Sequence, residues 1–417
     1  MKAINFTKEK IGWMFYDFAN QSFVTIMVTV LFSMYFKDII VAQEEIGTAL
    51  WARSVSISMI LVALTAPFIG ALADQTQSRK LSLIIVTYIS ILFTILLFFM
   101  KQGDILKTMI IFIVAKYCYT IGTVIYNSFL PDIAEKHELN RFSGLSWGIG
   151  YLGGLFALFA VMPIARLNLE NYLNYRFSFI LVAIIFFVFS IPTFIWLKEK
   201  KRNIKQQING FKSMIHMTIQ QLYDTAKSIR KYSELIKFLI SFFLFSNGIF
   251  VVISFASIYG STRFGMTEMN MITYFIIAQP SAFLGAWLFG YVVDWIGAKK
   301  AISITLIIWM IAIIGAYLVM NKSQFYFIGI LAGFAMGSTQ ACSRTLLATL
   351  TPENKSAEFF GFYSVFASLA TIAGLLIYGE ISRITGNQKN AILSIIIFFI
   401  LSFIVMQFVK LGRNHET

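Results

Sequence analysis

Apolar residues run through this chain in stretches of about 20, the length a helix needs to cross a bilayer core of roughly 30 Å. Such stretches fall near residues 11–36, 51–73, 81–100, 105–130, 142–163 and 177–197. Six more fall near 235–260, 269–293, 301–320, 325–349, 357–382 and 390–409. Lipid offers no hydrogen-bond partners, so such spans must satisfy their own backbone and are read as helices. An even number of spans places both termini on one side. The chain divides into a first half at 1–197, a connection at 198–233, and a second half at 234–417.

Lys and Arg set the orientation. With the termini inside, inside segments hold 22 of the 34 basic residues and outside loops hold 9, with Arg53, Lys116 and Arg344 inside spans. The positive-inside rule then places both termini in the cytoplasm. The connection opens on Lys198-Glu-Lys-Lys201-Arg202, and Phe211, Ile215, Thr218, Leu222, Ala226 and Ile229 recur at helical spacing. That pattern predicts an amphipathic helix on the membrane surface, acting as a tether or as a regulatory element.

Gly70-Ala-Leu-Ala-Asp74-Gln-Thr-Gln-Ser-Arg79-Lys80 and Gly290-Tyr-Val-Val-Asp294-Trp-Ile-Gly-Ala-Lys299-Lys300 stand in the same register, 220 residues apart. Each joins two apolar runs. Phe18-Ala-Asn20 is echoed by Phe245-Ser-Asn247, and Leu130-Pro131-Asp132 by Thr351-Pro352-Glu353. A membrane protein with matching halves is the usual build of a secondary transporter. An acid at one helix end can accept donors from the start of a neighbour. Gly70, Asp74, Arg79, Lys80, Gly290, Asp294, Lys299 and Lys300 are therefore read as a cytoplasmic gate, against plain positive-inside anchoring.

Composition agrees: 58% of residues are hydrophobic and 13% charged. The net charge of +14 follows membrane topology, not one face of a soluble fold, so nucleic acid is not expected as a partner. Cys118 and Cys342 lie in apolar runs without CxxC spacing, and the histidines are scattered, so neither a metal site nor a cofactor is expected. No HExxH or nucleotide-binding Gly-x-x-x-x-Gly-Lys loop occurs. An intramembrane enzyme is disfavoured, whereas a non-transporting receptor on the same architecture stays open.

The repeated Gly-x-x-x-Asp-x-x-x-x-basic-basic pattern resembles the major facilitator superfamily signature. Several further segments narrow it. These are Trp13-Met-Phe-Tyr16-Asp17-Phe-Ala-Asn20, Tyr126-Asn127-Ser-Phe-Leu-Pro131-Asp132, Ser143-Gly144-Leu-Ser-Trp147-Gly148-Ile-Gly150-Tyr-Leu-Gly153-Gly154, Gly337-Ser-Thr-Gln340-Ala-Cys-Ser343-Arg344 and Pro352-Glu-Asn-Lys-Ser-Ala-Glu358-Phe-Phe-Gly361. Together they resemble the vacuole-effluxer (autophagy-related) branch. The resemblance implies an all-α polytopic membrane protein with the major facilitator fold, twelve transmembrane helices in two pseudo-symmetric halves. It also implies a carrier of small polar metabolites, amino acids first, since eukaryotic members are associated with exporting them from vacuoles. The family often has an acid before a glycine in span 7, where this chain has Asn247-Gly248. Expected partners are a small-molecule substrate, the bilayer and a coupling ion, proton or sodium. A monomer in a prokaryotic inner membrane is expected.

Charges at membrane depth cost several kcal/mol unless they face a cavity or a partner. In the implied fold, spans 1, 4, 7 and 10 line the path. Arg344, about 12 Å from the end of span 10, can bind an anionic substrate group or pair with an acid of another helix. Lys116, about 16 Å into span 4, can attract substrate, change protonation state, or snorkel outward. Asp17, Asn20, Gln21 and Asn127 belong near one depth, where Asp17 can hold an ammonium group or a proton, or close a gate. Asn247, Gln279 and Gln340 bind substrate or link helices.

Overall fold

The computed structural model describes residues 4–165, 167, 172–200, 211–227, 229–385 and 388–410. Residues 201–210 of the connection, and His415, lie outside them. The described residues fold into helices, twelve of which are long and apolar enough to cross a membrane. The first six spans are Lys8–Val41, Ile46–Thr76, Arg79–Phe99, Ile105–Ile133, Leu139–Ala165 and Leu173–Trp196. The last six are Arg230–Ala256, Asn270–Ile296, Ala298–Leu318, Lys322–Leu350, Ser356–Ser382 and Lys389–Gln407. Each overlaps the apolar run that predicted it, because in lipid run length and helix length are the same constraint. The connection carries the expected helix, Phe211–Lys227.

Local chemistry sets the ends. The Thr7 side chain accepts from the Lys10 amide at the start of span 1, and Thr267 and Asn270 form a reciprocal capping box before span 8. Span 2 stops at Gln77, whose φ of 50° places it in the left-handed region that closes a helix. Span 1 departs from regular geometry. It is α-helical over Lys8–Ser22 but π-helical over Phe23–Val30 and again over Tyr35–Val41. The Leu31 amide there reaches back five residues to Ile26. Six of the eight residues from Phe23 to Val30 are the β-branched Val, Ile or Thr, and Thr29 donates to the Val24 carbonyl, so crowding at Cβ favours the wider turn.

The two halves meet through spans 2 and 11 on one side and spans 5 and 8 on the other. Glycines make the approach close. A Cβ on Gly144 of span 5 would stand 2.5 Å from the Ala286 carbonyl oxygen of span 8. A Cβ on Gly361 of span 11 would stand 2.7 Å from the Ala66 carbonyl oxygen of span 2. Gly70 and Gly290 answer them from the opposite helices, against Ala357 and Asn140–Arg141. The seam is thus made twice by the same device.

At the terminus side, Lys10 and Glu138 form an ion pair that is almost fully buried. Burial would raise the Glu138 carboxyl, but the Lys10 ammonium and the amides of Glu135 and Asn5 outweigh it and hold it below the usual range. A carboxyl lowered by folding stabilises the fold above its unfolded value near 4.3 and ceases to as pH falls through the folded value. Glu138→Gln is therefore expected to lower the thermal transition at neutral pH. The gap to the natural chain should close as the buffer is taken below pH 4.

Candidate functional site

Arg344, on span 10, is the hub. Its guanidinium is buried between the rings of Trp13 and Trp147, at 4.7 and 5.0 Å from their centroids. Nη1 donates to Asp17 Oδ2 at 2.8 Å and to Asn127 Oδ1 at 3.4 Å. Nε donates to Ser143 Oγ at 3.0 Å and Nη2 to the Ser143 carbonyl at 2.7 Å. One side chain of the second half thus reaches spans 1, 4 and 5 of the first. Only a planar fork on a long stem can address four acceptors this way, which a point-charge lysine cannot. Asp17 Oδ2 also accepts from Ser146 Oγ at 2.6 Å, so the carboxylate is held as well as paired.

The aromatic wall is built by span 1 and the end of span 4. Trp13 stacks on Tyr126 at 4.5 Å and donates its indole N–H to the Tyr126 carbonyl. The Tyr126 hydroxyl donates back to the Trp13 carbonyl. The rings fix the plane into which Arg344 slides and keep water from the Asp17 pair. The Trp147 indole N–H, by contrast, is buried without an acceptor.

The repeated acids cap the seam. Asp74 Oδ2 accepts the amides of Ala357 and Glu358 at 2.8 and 3.1 Å, at the start of span 11. Asp294 accepts Asn140 Nδ2 at 2.8 Å and pairs with Arg141 Nε at 2.7 Å, at the start of span 5. An acid at a helix start satisfies free N–H groups and meets the positive end of the helix dipole. The basic pairs are not the donors. Arg79 binds Asp132, Glu199 and the Ser128 carbonyl, and stacks on Phe129. The Lys80 amide donates to Glu199, and Lys299 donates to the Gln407 carbonyl. Lys300 is exposed. Of the eight residues expected at the gate, Gly70, Asp74, Gly290 and Asp294 therefore touch across the seam. For Arg79, Lys80 and Lys299 the contacts seen stay within their own half or the start of the connection.

The linker helix closes over the same place. Thr218 donates to Gln75 Oε1, Gln75 donates to Gln221, and Gln221 donates to Glu358 at 2.5 Å. Lys355 donates to Thr225. Hydrogen bonds between the halves then continue inward as far as Gln279 with Thr25 and Ser368 with Met59. The terminus side is thus shut.

The remaining expected residues divide. Asn20 accepts from the Tyr119 hydroxyl at 3.4 Å, and Gln21 lies against Gly150 of span 5. Asn247 uses its amide N–H on the Phe243 carbonyl, leaving Oδ1 buried with no donor among the described residues. Gln340 is half-buried, one turn from Arg344. Lys116 is buried and stands apart from the Arg344 group. It precedes Asn127 by eleven residues on one helix, about 16 Å along the axis. Among the described residues, no carboxylate lies within salt-bridge distance of it, and no three His, Cys, Asp or Glu side chains form a metal-holding group. A small apolar cavity of about 40 Å³ among Tyr259, Tyr274, Trp309 and Phe325 of the second half offers no polar anchor and is too small for a metabolite.

Sequence reasoning missed Asn140, Arg141 and Gln221, and it quoted Ser146 without giving it a role. Ser143, Trp13 and Trp147 stood inside quoted segments without a role.

Comparison with known proteins agrees with this architecture. The profile of the family described as "Vacuole effluxer Atg22 like" matches residues 47–417. An MFS-type transporter of Bacillus subtilis, YxiO, is 26% identical over 97% of this chain and 95% of its own. Autophagy-related protein 22 of Kluyveromyces lactis is 24% identical over 86% of this chain and 79% of its own. Among solved structures, the proton:xylose symporter XylE superposes with a TM-score of 0.71 at 15% identity, covering 97% of this chain and 94% of that one. The transporter FucP in its outward conformation gives 0.72 at 11% identity, covering 97% and 99%. This chain belongs to the vacuole effluxer Atg22-like family of major facilitator membrane transporters.

Proposed function

We propose that this protein is a secondary carrier that moves a small polar metabolite, with amino acids as the leading class, by alternating access. The observation that carries the reading is the doubled seam. Asp74 of span 2, against the start of span 11, and Asp294 of span 8, against the start of span 5, close the terminus side in related ways, with the Arg344–Asp17 pair above them. Such contacts must break and re-form if the halves rock about a central site. In this reading Gly70, Asp74, Gly290 and Asp294 form the gate, with Asn140 as hydrogen-bond donor and Arg141 as ion-pair partner. Asp17, Asn127 and Arg344 form the inner latch. Asn20, Gln21, Lys116, Asn247 and Gln340 face the path or support it.

The excess of Lys and Arg on the terminus side supports cytoplasmic termini. The coverage of a Bacillus subtilis relative along 95% of its length supports a prokaryotic plasma membrane. The amino-acid class rests on the family resemblance and on a path that holds both charge signs. Organic anions are the second reading, favoured by a buried lysine with no carboxylate at salt-bridge distance among the described residues.

Purified protein in liposomes, challenged with a panel of labelled amino acids, tests this. Saturable uptake that Arg344→Ala abolishes is expected. A folded protein that moves none of the panel removes amino acids as the substrate class. The gate has its own check: Asp74→Asn with Asp294→Asn removes two helix-end charges, each contributing about 0.3–1 kcal/mol and up to ~2 when partly buried. Spin labels at positions 80 and 300, one in each half, are expected to report a larger fraction of molecules open on the terminus side.

A further inference from the structure

Lys116 and Gln279 are polar side chains at mid-membrane whose chemistry the seam and the latch leave unused. The Lys116 residue is about nine-tenths buried, and its ammonium has no acceptor among the described residues. The Gln279 carbonyl oxygen is buried with no donor among the described residues, while its amide N–H lies 3.4 Å from Thr25 Oγ1 across the seam.

Helical register says which way Lys116 faces. Eleven residues at about 100° each bring Asn127 to within roughly 20° of Lys116, so the two share one face of span 4. Asn127 touches Arg344 of the second half, so that face looks into the interface between halves. Thr120 and Thr123 lie on the same face. Each donates its hydroxyl proton to its own helix, leaving oxygen lone pairs toward the path.

Depth aligns the two groups. Phe23 of span 1 stacks on Tyr119 of span 4 at 4.8 Å, which sets a common level. Thr25 is two residues beyond that level on span 1, and Lys116 three residues beyond it on span 4. Both lie about 3–5 Å further from the terminus side at 1.5 Å per residue. Gln279, held against Thr25 and Gly154, is therefore level with Lys116. Among the described residues, this is also where the hydrogen bonds between halves stop. Arg344, the other buried cation of the path, already makes four hydrogen bonds.

We propose that Lys116 holds the carboxylate of the substrate and the Gln279 carbonyl oxygen accepts from its ammonium group, one anchor on each half, so that the site selects a zwitterion. This rests on the carrier reading above and deepens it. Arg344 then serves the latch and does not touch the carboxylate. A substrate bridging span 4 and span 8 links the halves and can bias their rocking, because its binding differs between the two states.

The test is ligand binding to purified protein by thermal shift and calorimetry. The probes are amino acids, their carboxamides, and the matching acids without an amino group, against the natural chain, Lys116→Met, Lys116→Arg and Gln279→Leu. Lys116→Met removes a buried charge at similar length, so the fold is expected to persist. The expected result is binding of amino acids and not of carboxamides, weakened roughly tenfold or more in Lys116→Met and in Gln279→Leu, and partly restored in Lys116→Arg. Unchanged affinity in Lys116→Met, with amino acids still bound, overturns the inference and leaves the amino-acid reading standing. Deaminated acids binding as well as amino acids, indifferent to Gln279→Leu, overturn the two-point site and the amino-acid reading together. A natural chain that no probe stabilises also counts against both.

Discussion

Arg344→Ala is expected to reduce transport at least about 100-fold while leaving a folded protein. The guanidinium makes four hydrogen bonds, one of them an ion pair, at near-zero exposure, across spans 1, 4 and 5. Removing one partner of a buried pair costs about 3–5 kcal/mol, because the other charge is left in the interior without compensation. The stranded group here is Asp17, with only Ser146 still donating to it among the hydrogen bonds seen. Asp17→Asn is expected to harm less, since the amide can keep an acceptor for Arg344. The double variant Arg344→Ala with Asp17→Ala should be more stable than the sum of the singles predicts, the sign of a coupled pair. Arg344→Lys is expected to fail as a replacement, because an ammonium cannot reach Asp17, Asn127 and both Ser143 oxygens at once or fill the slot between Trp13 and Trp147. Uptake at fixed protein content, with detergent-state melting as the fold control, reads all four.

The second large effect is steric. Gly144→Val and Gly361→Val put branched side chains where a Cβ alone would stand 2.5 and 2.7 Å from backbone of the opposite half. The obstructing atoms are carbonyl oxygens on helices, which cannot rotate aside. Overpacking of this kind costs about 1–3 kcal/mol per site. The two sites are on different helix pairs and load the same closed state. Together they are expected to shift the balance away from a closed terminus side by roughly 100-fold or more, since 1.4 kcal/mol is a factor of ten. Spin labels at positions 80 and 300, with Cys118 and Cys342 replaced by alanine, should report a longer separation in the double variant and slowed transport. A separation unchanged from the natural chain would mean that these glycines fill space and do not set the seam.

The spans were readable because a bilayer forces apolar run length and helix length to agree. Asp17, Lys116 and Arg344 were readable for the related reason that a charge inside such a run demands an explanation. Their relations were not. Asp17 and Arg344 stand 327 residues apart, and nothing local in either segment says which acid meets which base. The Gly-Asp register identified the seam but not its donors. Asp74 is served by backbone amides of Ala357 and Glu358, which leave no mark in a side-chain pattern. Arg79 and Lys299 looked like donors to the repeated acids, yet Arg79 feels Asp74 only through its charge while donating to Asp132, and Lys299 donates to the Gln407 carbonyl. The π-helical turns of span 1 were invisible because a stretch that is apolar on almost every face carries no periodicity to mark a change of pitch. Gln279 gained meaning only once its carbonyl oxygen was seen buried with no donor among the described residues.

A carrier with one alternately exposed site differs from a channel or a receptor in what a loaded far side does to flux. Proteoliposomes preloaded with an unlabelled amino acid, then diluted into the same amino acid carrying label at trace concentration, measure it. The account predicts transient accumulation of label above the outside concentration, absent in Arg344→Ala and absent when the lumen is empty. Label that enters at the same rate whether the lumen is loaded or empty, or does not enter at all, would contradict alternating access.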